Sequence, residues 1–370
     1  MPVTTEGSRT SVLASSRRRA LAALVDTTAL LTTPLLPDDY LGLLNPLWGA
    51  RELRARVEER RPETPGAATF VLRPGRRWRG HRAGQWVRIA VEIDGVLHRR
   101  SYSLTAPPAA DGTISITVSA QRDGLVSQHL LAEARPGTLL RIDQATGDFV
   151  LPAELTRPLL MVTGGSGITP VMGMLRELAG RGELPDVVLV HAARRPSDVI
   201  FREEMRSLAA RHAEFRLVEQ HTETNGRLTP ARLTELVPDW RERETWACGP
   251  AGLLDDLEAH WAGADLSARL HTERFRPRVL AGVESAGGTV TFDRAGSTVE
   301  TDGATPLLDV GESAGVLLPS GCRMGICFSC VVPLRAGQVR DLRTGQVHGE
   351  EGDLVQTCVS AAAGACVLDA

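Results

Sequence analysis

Pro319-Ser-Gly-Cys322-Arg-Met-Gly-Ile-Cys327-Phe-Ser-Cys330 is the stretch that decides the reading of this 370-residue chain. Four residues separate its first two cysteines and two separate the next pair, and Cys358 follows after 27 more. Thiolates at this spacing, C-x4-C-x2-C…C, hold a [2Fe–2S] cluster, because soft, charge-donating sulfur suits iron. Gly321 and Gly325 fall where the backbone must approach closely or take positive φ. The competing readings are a zinc site or scattered core cysteines. Structural zinc shows two close Cys pairs, whereas Cys358 stands alone. The expected ligands are therefore Cys322, Cys327, Cys330 and Cys358.

Around this loop, Thr289–Phe292 and Thr298–Thr301 read as short strands, and Pro306–Ala314 as a helix opening on proline. Residues 288–370 resemble a plant-type ferredoxin domain, which implies a β-grasp fold and one-electron transfer.

The chain is long enough for two to three domains, and 42% hydrophobic residues make it globular. All 42 basic residues are arginine, which reads as a GC-rich genome rather than a function. From Glu284 onward there are 5 Arg against 11 Asp and Glu, leaving the remainder at +3 of a net −3. An acidic module on a mildly basic body suits electrostatic docking; an ordinary solvated surface is the alternative. With 4% aromatics and no basic stripe, nothing points to nucleic acid. The cysteine usage fits a reducing compartment rather than a secreted disulfide framework.

Residues 52–155 alternate short strands with turns: Thr69–Leu72, Gln85–Ile93, His98–Leu104, Thr113–Ala120 and Thr138–Asp143. Asp94-Gly95 is a hairpin signal and Asp111-Gly112 a second turn. This pattern predicts a small antiparallel β-barrel. Residues 156–264 change to strands at Leu159–Thr163, Val187–His191, Phe215–Glu219 and Thr245–Cys248. Helices are expected at Thr169–Ala179, Val199–Ala210 and Ala251–Trp261, so this part is α/β with a parallel sheet. Residues 265–287 read as a linker before the β-grasp.

Arg100-Ser-Tyr102-Ser103-Leu104-Thr105 ends a barrel strand. An arginine can fork onto pyrophosphate, a tyrosine can stack on a ring, and a serine hydroxyl can reach a flavin N5. An arginine and tyrosine on an exposed strand are the plain alternative. Gly124-Leu-Val126-Ser127 opens a short helix, where backbone N–H groups and a hydroxyl can hold phosphate. Gly147-Asp-Phe149-Val-Leu-Pro152 follows. Thr163-Gly164-Gly165-Ser-Gly167-Ile-Thr169-Pro170 links a strand to a helix, with Pro170 replacing the last glycine of the dinucleotide fingerprint. Cys248-Gly249-Pro250 ends the last predicted strand of the sheet.

These motifs, in this order, resemble the ferredoxin–NADP reductase superfamily, and with the ferredoxin module the phthalate dioxygenase reductase and phenylacetyl-CoA-type reductases. The resemblance implies FAD on Arg100, Tyr102, Ser103, Leu104, Gly124, Val126 and Ser127. It implies a nicotinamide site at Thr163, Gly164, Gly165, Gly167, Thr169, Pro170, Cys248, Gly249 and Pro250. Glu273-Arg-Phe275 matches an E-x-F segment, in which Phe275 covers a ring face and Glu273 polarises the site or relays a proton. Ser103, Cys248, Glu273 and Phe275 are thus the expected catalytic group. For the 2′-phosphate, Arg194 and Arg195 in His191-Ala-Ala-Arg-Arg-Pro-Ser197 favour NADPH over NADH, with Arg227 after the next strand. The alternative pairs one arginine with the pyrophosphate and the other with Asp198.

The N-terminal residues 1–51 depart from those reductases. Arg17-Arg-Arg19 precedes the apolar run Ala20–Leu31. Asp26 and the lack of an A-x-A site argue against an export signal, and the run is too short to span a bilayer. An amphipathic helix is expected, either packed on the barrel or lying peripherally at the inner face of the membrane. Pro34, Pro37 and Pro46 impose an irregular connector. Pro37-Asp-Asp-Tyr-Leu resembles the mycobacterial acyl-CoA desaturase reductases. The combined expectation is a cytoplasmic NAD(P)H-dependent reductase feeding an oxygen-activating partner: a desaturase, or else a ring-hydroxylating dioxygenase or cytochrome P450. A non-catalytic electron carrier is the alternative of another class, and the Gly164–Pro170 loop with Cys248-Gly-Pro250 weighs against it.

Overall fold

The structure is a computed structural model that describes residues 40, 44–49, 52–121, 124–182, 184–275, 287–321, 323, 325 and 328–370. The expected N-terminal helix, and Cys322 and Cys327, lie outside the described residues.

The first sheet is antiparallel, built from Arg54–Thr64 (β1), Ala67–Pro74 (β2), Trp86–Ile93 (β3), Val96–Ser103 (β4), Ile114–Ser119 (β5) and Leu139–Ile142 (β6). Its order is β4-β3-β6-β1-β2-β5. A bridge between Leu104 and Ile116 returns β5 to the end of β4 and closes a barrel. Alternation puts Val57, Phe70, Leu72, Val87, Ile89, Ile116 and Val118 inside it. The β3–β4 turn has Asp94 at φ 52° and Gly95 at 77°, the left-handed pair that a two-residue hairpin requires. A nine-residue helix, Leu125–Glu133 (α1), seals the barrel with Val126 and Leu130. β1 was not legible in advance. Only Ala55 and Val57 point inward, while its charges pair along the outer face, Arg56 with Glu58 and Arg61 with Glu59.

The second sheet is parallel: Leu159–Gly164 (β7), Val187–Ala193 (β8), Phe215–His221 (β9), Glu244–Cys248 (β10) and Leu270–Glu273 (β11), in the order β11-β10-β7-β8-β9. Both faces are covered, so its strands are near-continuous apolar runs. Leu159 and Met161 face one core, Leu160 and Val162 the other. The crossover helices are Ile168–Gly180 (α2), Arg202–Arg211 (α3), Pro230–Leu236 (α4) and Ala251–Gly263 (α5). The helix expected from Val199 starts later, because Phe201 takes a left-handed φ of 61°. The larger correction concerns the predicted linker. Residues 270–273 are not linker but the edge strand β11, paired in parallel with β10. Four residues carrying His271 and Glu273 give no strand periodicity, and only the neighbouring strand supplies their ladder partners.

The third sheet holds Gly288–Phe292 (β12), Ser297–Thr301 (β13), Val331–Asp341 (β14), Val347–His348 (β15), Leu354–Gln356 (β16) and Ser360–Leu368 (β17). Leu307–Ser313 (α6) buries Leu307, Leu308 and Val310 against it, together with Phe292 and Val332. The fold class is therefore an antiparallel barrel, a parallel α/β sheet and a β-grasp module.

Candidate electron-transfer site

The carboxyl ends of the parallel strands carry a single polar row. Glu273, Cys248, Thr163, His191 and Glu219 occupy matching register positions on β11, β10, β7, β8 and β9. Cys248 is wholly buried, which pushes its thiol well up, with the Glu273 carboxylate adding to the effect. Burial raises Glu273 to about 8, and its Oε2 is shut off from solvent with no partner among the described residues. Glu273 is thus a proton-bearing acid at neutral pH. Thr163 Oγ1 lies 2.8 Å from His191 Nδ1, and burial lowers this imidazole to about 4.

After β7 the chain turns through Gly164–Gly167 into α2. A Cβ on Gly167 would meet the Cys248 carbonyl oxygen at 2.1 Å, and one on Gly164 would meet Pro250 Cδ at 2.7 Å. The glycines let this loop and Cys248-Gly249-Pro250 pass backbone against backbone. Gly165 has φ +54° and faces open space. Thr169 Oγ1 donates to the Ser166 carbonyl at 2.9 Å, closing the turn. Pro170 sits in the first helical turn, where a missing N–H is harmless. The result is a glycine turn leading straight into a helix N-terminus, a setting suited to a pyrophosphate, although the Ile168 N–H is already taken by the Gly165 and Ser166 carbonyls.

On the barrel, Arg100, Tyr102 and Ser103 close β4. Ser103 is 4% exposed, and its Oγ has no partner among the described residues. Burial raises the Tyr102 phenol, so it stays protonated. Arg100 Nη1 donates to the Arg99 carbonyl at 2.7 Å, and no carboxylate pairs with Arg100 among the described residues. Two features differ from the sequence expectation. The Ser127 hydroxyl is committed to the turn, donating to Gly124 O at 2.9 Å and accepting from Gln121 N–H at 3.2 Å. Val126 is a core side chain. Only the first-turn amides of α1 remain for phosphate. Phe275 is 39% exposed.

Arg194 and Arg195 lie at the end of β8 and are exposed. Both share Asp198 and Glu223, at 3.1 and 3.7 Å for Arg194 and 3.5 Å to each for Arg195. Arg227 is exposed as well.

In the β-grasp module the Cys330 and Cys358 sulfurs stand 3.2 Å apart, both buried. Arg323, Gly325 and Phe328 have φ of +58°, +73° and +53°. A Cβ on Gly325 would meet Arg343 Nη1 at 2.6 Å, and Arg343 and Gln356 both donate to the Gly325 carbonyl, at 3.0 and 3.2 Å. A left-handed loop beside paired soft donors fits a wrapped iron–sulfur cluster. Cys366 is separate, buried in β17 opposite Gly337 and Val290.

The ligand loop rests on the flavin strands. Arg88 Nη1 of β3 donates to Ser329 Oγ at 3.2 Å. Arg323 forks onto Asp309 and Glu312 of α6, and its charge bears on Arg100 across the junction. No sequence signal marks Arg88 or Ser329, because nothing local ties them together.

Residues 55–151 match the oxidoreductase FAD-binding domain family, 161–258 the oxidoreductase NAD-binding domain, and 290–363 the 2Fe-2S iron-sulfur cluster binding domain. The chain is 51% identical over 367 residues to an NADPH oxidoreductase of Mycobacterium tuberculosis, covering 98% of this chain and 96% of that one. The chain belongs to the ferredoxin–NADP reductase superfamily, in the branch with a C-terminal ferredoxin domain. This reductase is also 30% identical over 313 residues to the stachydrine N-demethylase reductase subunit of Rhizobium meliloti, covering 79% and 88% of the two chains. Its fold matches phthalate dioxygenase reductase with a TM-score of 0.62 and 25% identity, over 86% of this chain and 98% of that one. The modules that bind FAD, NAD(P) and a [2Fe–2S] cluster are all present. No helix among the described residues is long and apolar enough to cross a membrane.

Proposed function

We propose that this reductase draws electrons from NADPH and delivers them singly to an oxygen-activating protein, with an acyl desaturase as the first choice of acceptor. When bound, the flavin exchanges a hydride for single electrons and the cluster carries one at a time. The observation that carries the reading is the junction of three sites. Among the described residues, Ser103 and Glu273 offer buried polar atoms without protein partners and Arg100 a guanidinium without a carboxylate, and the cysteine loop docks on β3 through Ser329.

The roles of the chain's residues follow. Arg100 and the α1 amides hold the flavin pyrophosphate, and Tyr102 packs its ring system. The Ser103 hydroxyl donates toward N5. Gly164–Gly167 and the α2 amides hold the nucleotide pyrophosphate, and Cys248 borders the nicotinamide. Glu273 keeps a proton at Oε2 beside them. Cys322, Cys327, Cys330 and Cys358 hold the cluster. Arg194 and Arg195, released from Asp198 and Glu223, take the 2′-phosphate; the name of the M. tuberculosis relative supports NADPH. The desaturase choice rests on Pro37-Asp-Asp-Tyr-Leu. The likeness to phthalate dioxygenase reductase favours a ring-hydroxylating dioxygenase as the second reading.

Anaerobic NADPH should bleach the flavin and cluster absorbance in sequence. The desaturase and dioxygenase readings separate when the reduced protein is offered each acceptor. Bleaching by NADH alone would remove the NADPH assignment.

A further inference from the structure

α2 joins the two halves of the proposed hydride site. It opens directly after the Gly164–Gly167 turn. Midway along it, Gly173 lies so close to the barrel that a Cβ would meet the Leu104 carbonyl oxygen at 2.7 Å. Three residues on, Arg176 Nη1 donates to the Thr105 carbonyl at 2.5 Å. Leu104 and Thr105 are the two residues that follow Ser103. The Thr105 N–H is itself held by the Ser115 carbonyl at 2.9 Å, so Thr105 is pinned from both sides, by the barrel and by the neighbouring domain.

The guanidinium is braced in turn. Arg176 Nε and Nη2 fork onto Glu204 of α3 at 2.8 and 2.5 Å, and the group lies 4.8 Å from the centre of the Phe201 ring. Phe201, in its left-handed conformation, donates its N–H to Glu63 of β1 at 3.3 Å. Glu63 also accepts from Thr69 Oγ1 of β2 at 2.6 Å. The nucleotide domain thus grips two segments of the barrel, Leu104–Thr105 and β1, through one arginine and one strained phenylalanine.

We propose that Gly173 and Arg176 are positioning residues that fix the offset between the nicotinamide loop and Ser103. The proposal rests on the reading of Ser103 and Cys248 as the two faces of the hydride site. From Arg176 back to Gly167 is roughly 13 Å of helix, so a tilt of about 5° moves the loop by about 1 Å. A misplacement of about 1 Å reduces a hydride-transfer rate by on the order of 10²-fold. A glycine that permits contact and an arginine that holds it therefore act on rate without touching either ring.

The test is anaerobic stopped-flow reduction of the flavin-loaded enzyme by NADPH and by its 4-deuterated forms. Wild type is compared with Arg176→Met, Arg176→Lys and Gly173→Ala. The saturating reduction rate should fall about tenfold or more in Arg176→Met and in Gly173→Ala, with partial recovery in Arg176→Lys. The charge-transfer absorbance formed with NADP+ should weaken in parallel, at unchanged FAD content and NADP+ affinity. In flavin-free protein, amide exchange should quicken together in the segments around Leu104–Ala106 and Gly164–Gly167. Unchanged rates and absorbance in both variants overturn the proposal, as does a slowdown that only tracks lost flavin or lowered Tm. A wild-type enzyme with neither a deuterium effect nor a charge-transfer band overturns the hydride-site reading, and this proposal with it.

Discussion

Glu273 and Cys248 face each other in register at the ends of adjacent parallel strands, the acid pushed up to about 8 by burial and the thiol pushed up beside it. Two neutral, proton-bearing groups therefore border the place where the nicotinamide is proposed to lie. A carboxylate fixed there would oppose the positive charge changes of hydride transfer only by taking on a desolvated charge of its own.

The first prediction concerns stability. Glu273 keeps its proton in the folded state and loses it near the ordinary carboxylate range when unfolded. Between about pH 4.5 and 8 the unfolded chain therefore binds fewer protons, and stability falls as pH rises through this window. Glu273→Gln should remove that slope. The Tm of the variant should match wild type near pH 4.5 and exceed it at pH 8. Parallel Tm profiles for the two proteins across this range would show that Glu273 is ionised in the fold.

The second concerns the cluster. Cys330→Ser and Cys358→Ser each remove one of two adjacent buried sulfurs, and each should abolish the iron–sulfur absorbance and reduction of a protein acceptor. Reduction of ferricyanide by NADPH should survive, because the barrel and parallel sheet are untouched. Cys366→Ser, in β17 opposite Val290 and Gly337 but in the same core, should keep the cluster. Its loss in Cys366→Ser alone would overturn the ligand set.

Much of this site was readable because its chemistry is local in sequence. Gly164–Pro170, Arg100–Thr105 and Cys322–Cys330 are continuous runs in which turn geometry and donor type sit side by side. The illegible parts depend on neighbours distant along the chain. β11 is a strand only because β10 offers its edge, and β1 is one despite its charges because Val57 and Ala55 suffice to bury one face. Arg176 grips Thr105 from 71 residues away, and Arg88 meets Ser329 from 241. Neither pair leaves a spacing that a single sequence can show. Ser127 follows the same logic: a hydroxyl expected to help hold phosphate is claimed first by the tight Gly124 turn.

The third prediction tests nucleotide choice. Arg194 and Arg195 share Asp198 and Glu223, so each arginine is poised but partly neutralised. A charge-assisted bond to phosphate is worth about 1.5–3 kcal/mol, yet exposure at this edge discounts it. Arg194→Ala with Arg195→Ala should lower kcat/KM for NADPH by roughly tenfold and leave NADH use unchanged. Glu223→Gln should raise NADPH affinity modestly by removing one of the two carboxylates that both guanidinium groups share, Asp198 remaining. Equal losses with both nucleotides would move these arginines from the 2′-phosphate to the pyrophosphate.

The last prediction concerns Arg323, the residue next to the first cluster cysteine in the sequence. It has a left-handed φ of +58°, which a non-glycine residue adopts at a cost of about 1–2 kcal/mol. Its guanidinium forks onto Asp309 and Glu312 of α6 and bears on Arg100 of the flavin strand. Arg323→Ala loses the fork and keeps the backbone strain. Arg323→Gly loses the fork and relieves the strain, at the expense of greater freedom in the unfolded chain. If strain dominates, the glycine variant melts higher than the alanine variant; if unfolded-state freedom dominates, the order reverses. Both variants should slow electron passage from flavin to cluster, while flavin reduction by NADPH stays at the wild-type rate. The slower step should respond to salt more than in wild type, because Asp309 and Glu312, no longer neutralised by Arg323, then act on Arg100 of β4 as a screenable attraction. If flavin-to-cluster transfer is unaltered in both variants, the Arg323 fork braces α6 and has no part in holding the ferredoxin module against the barrel.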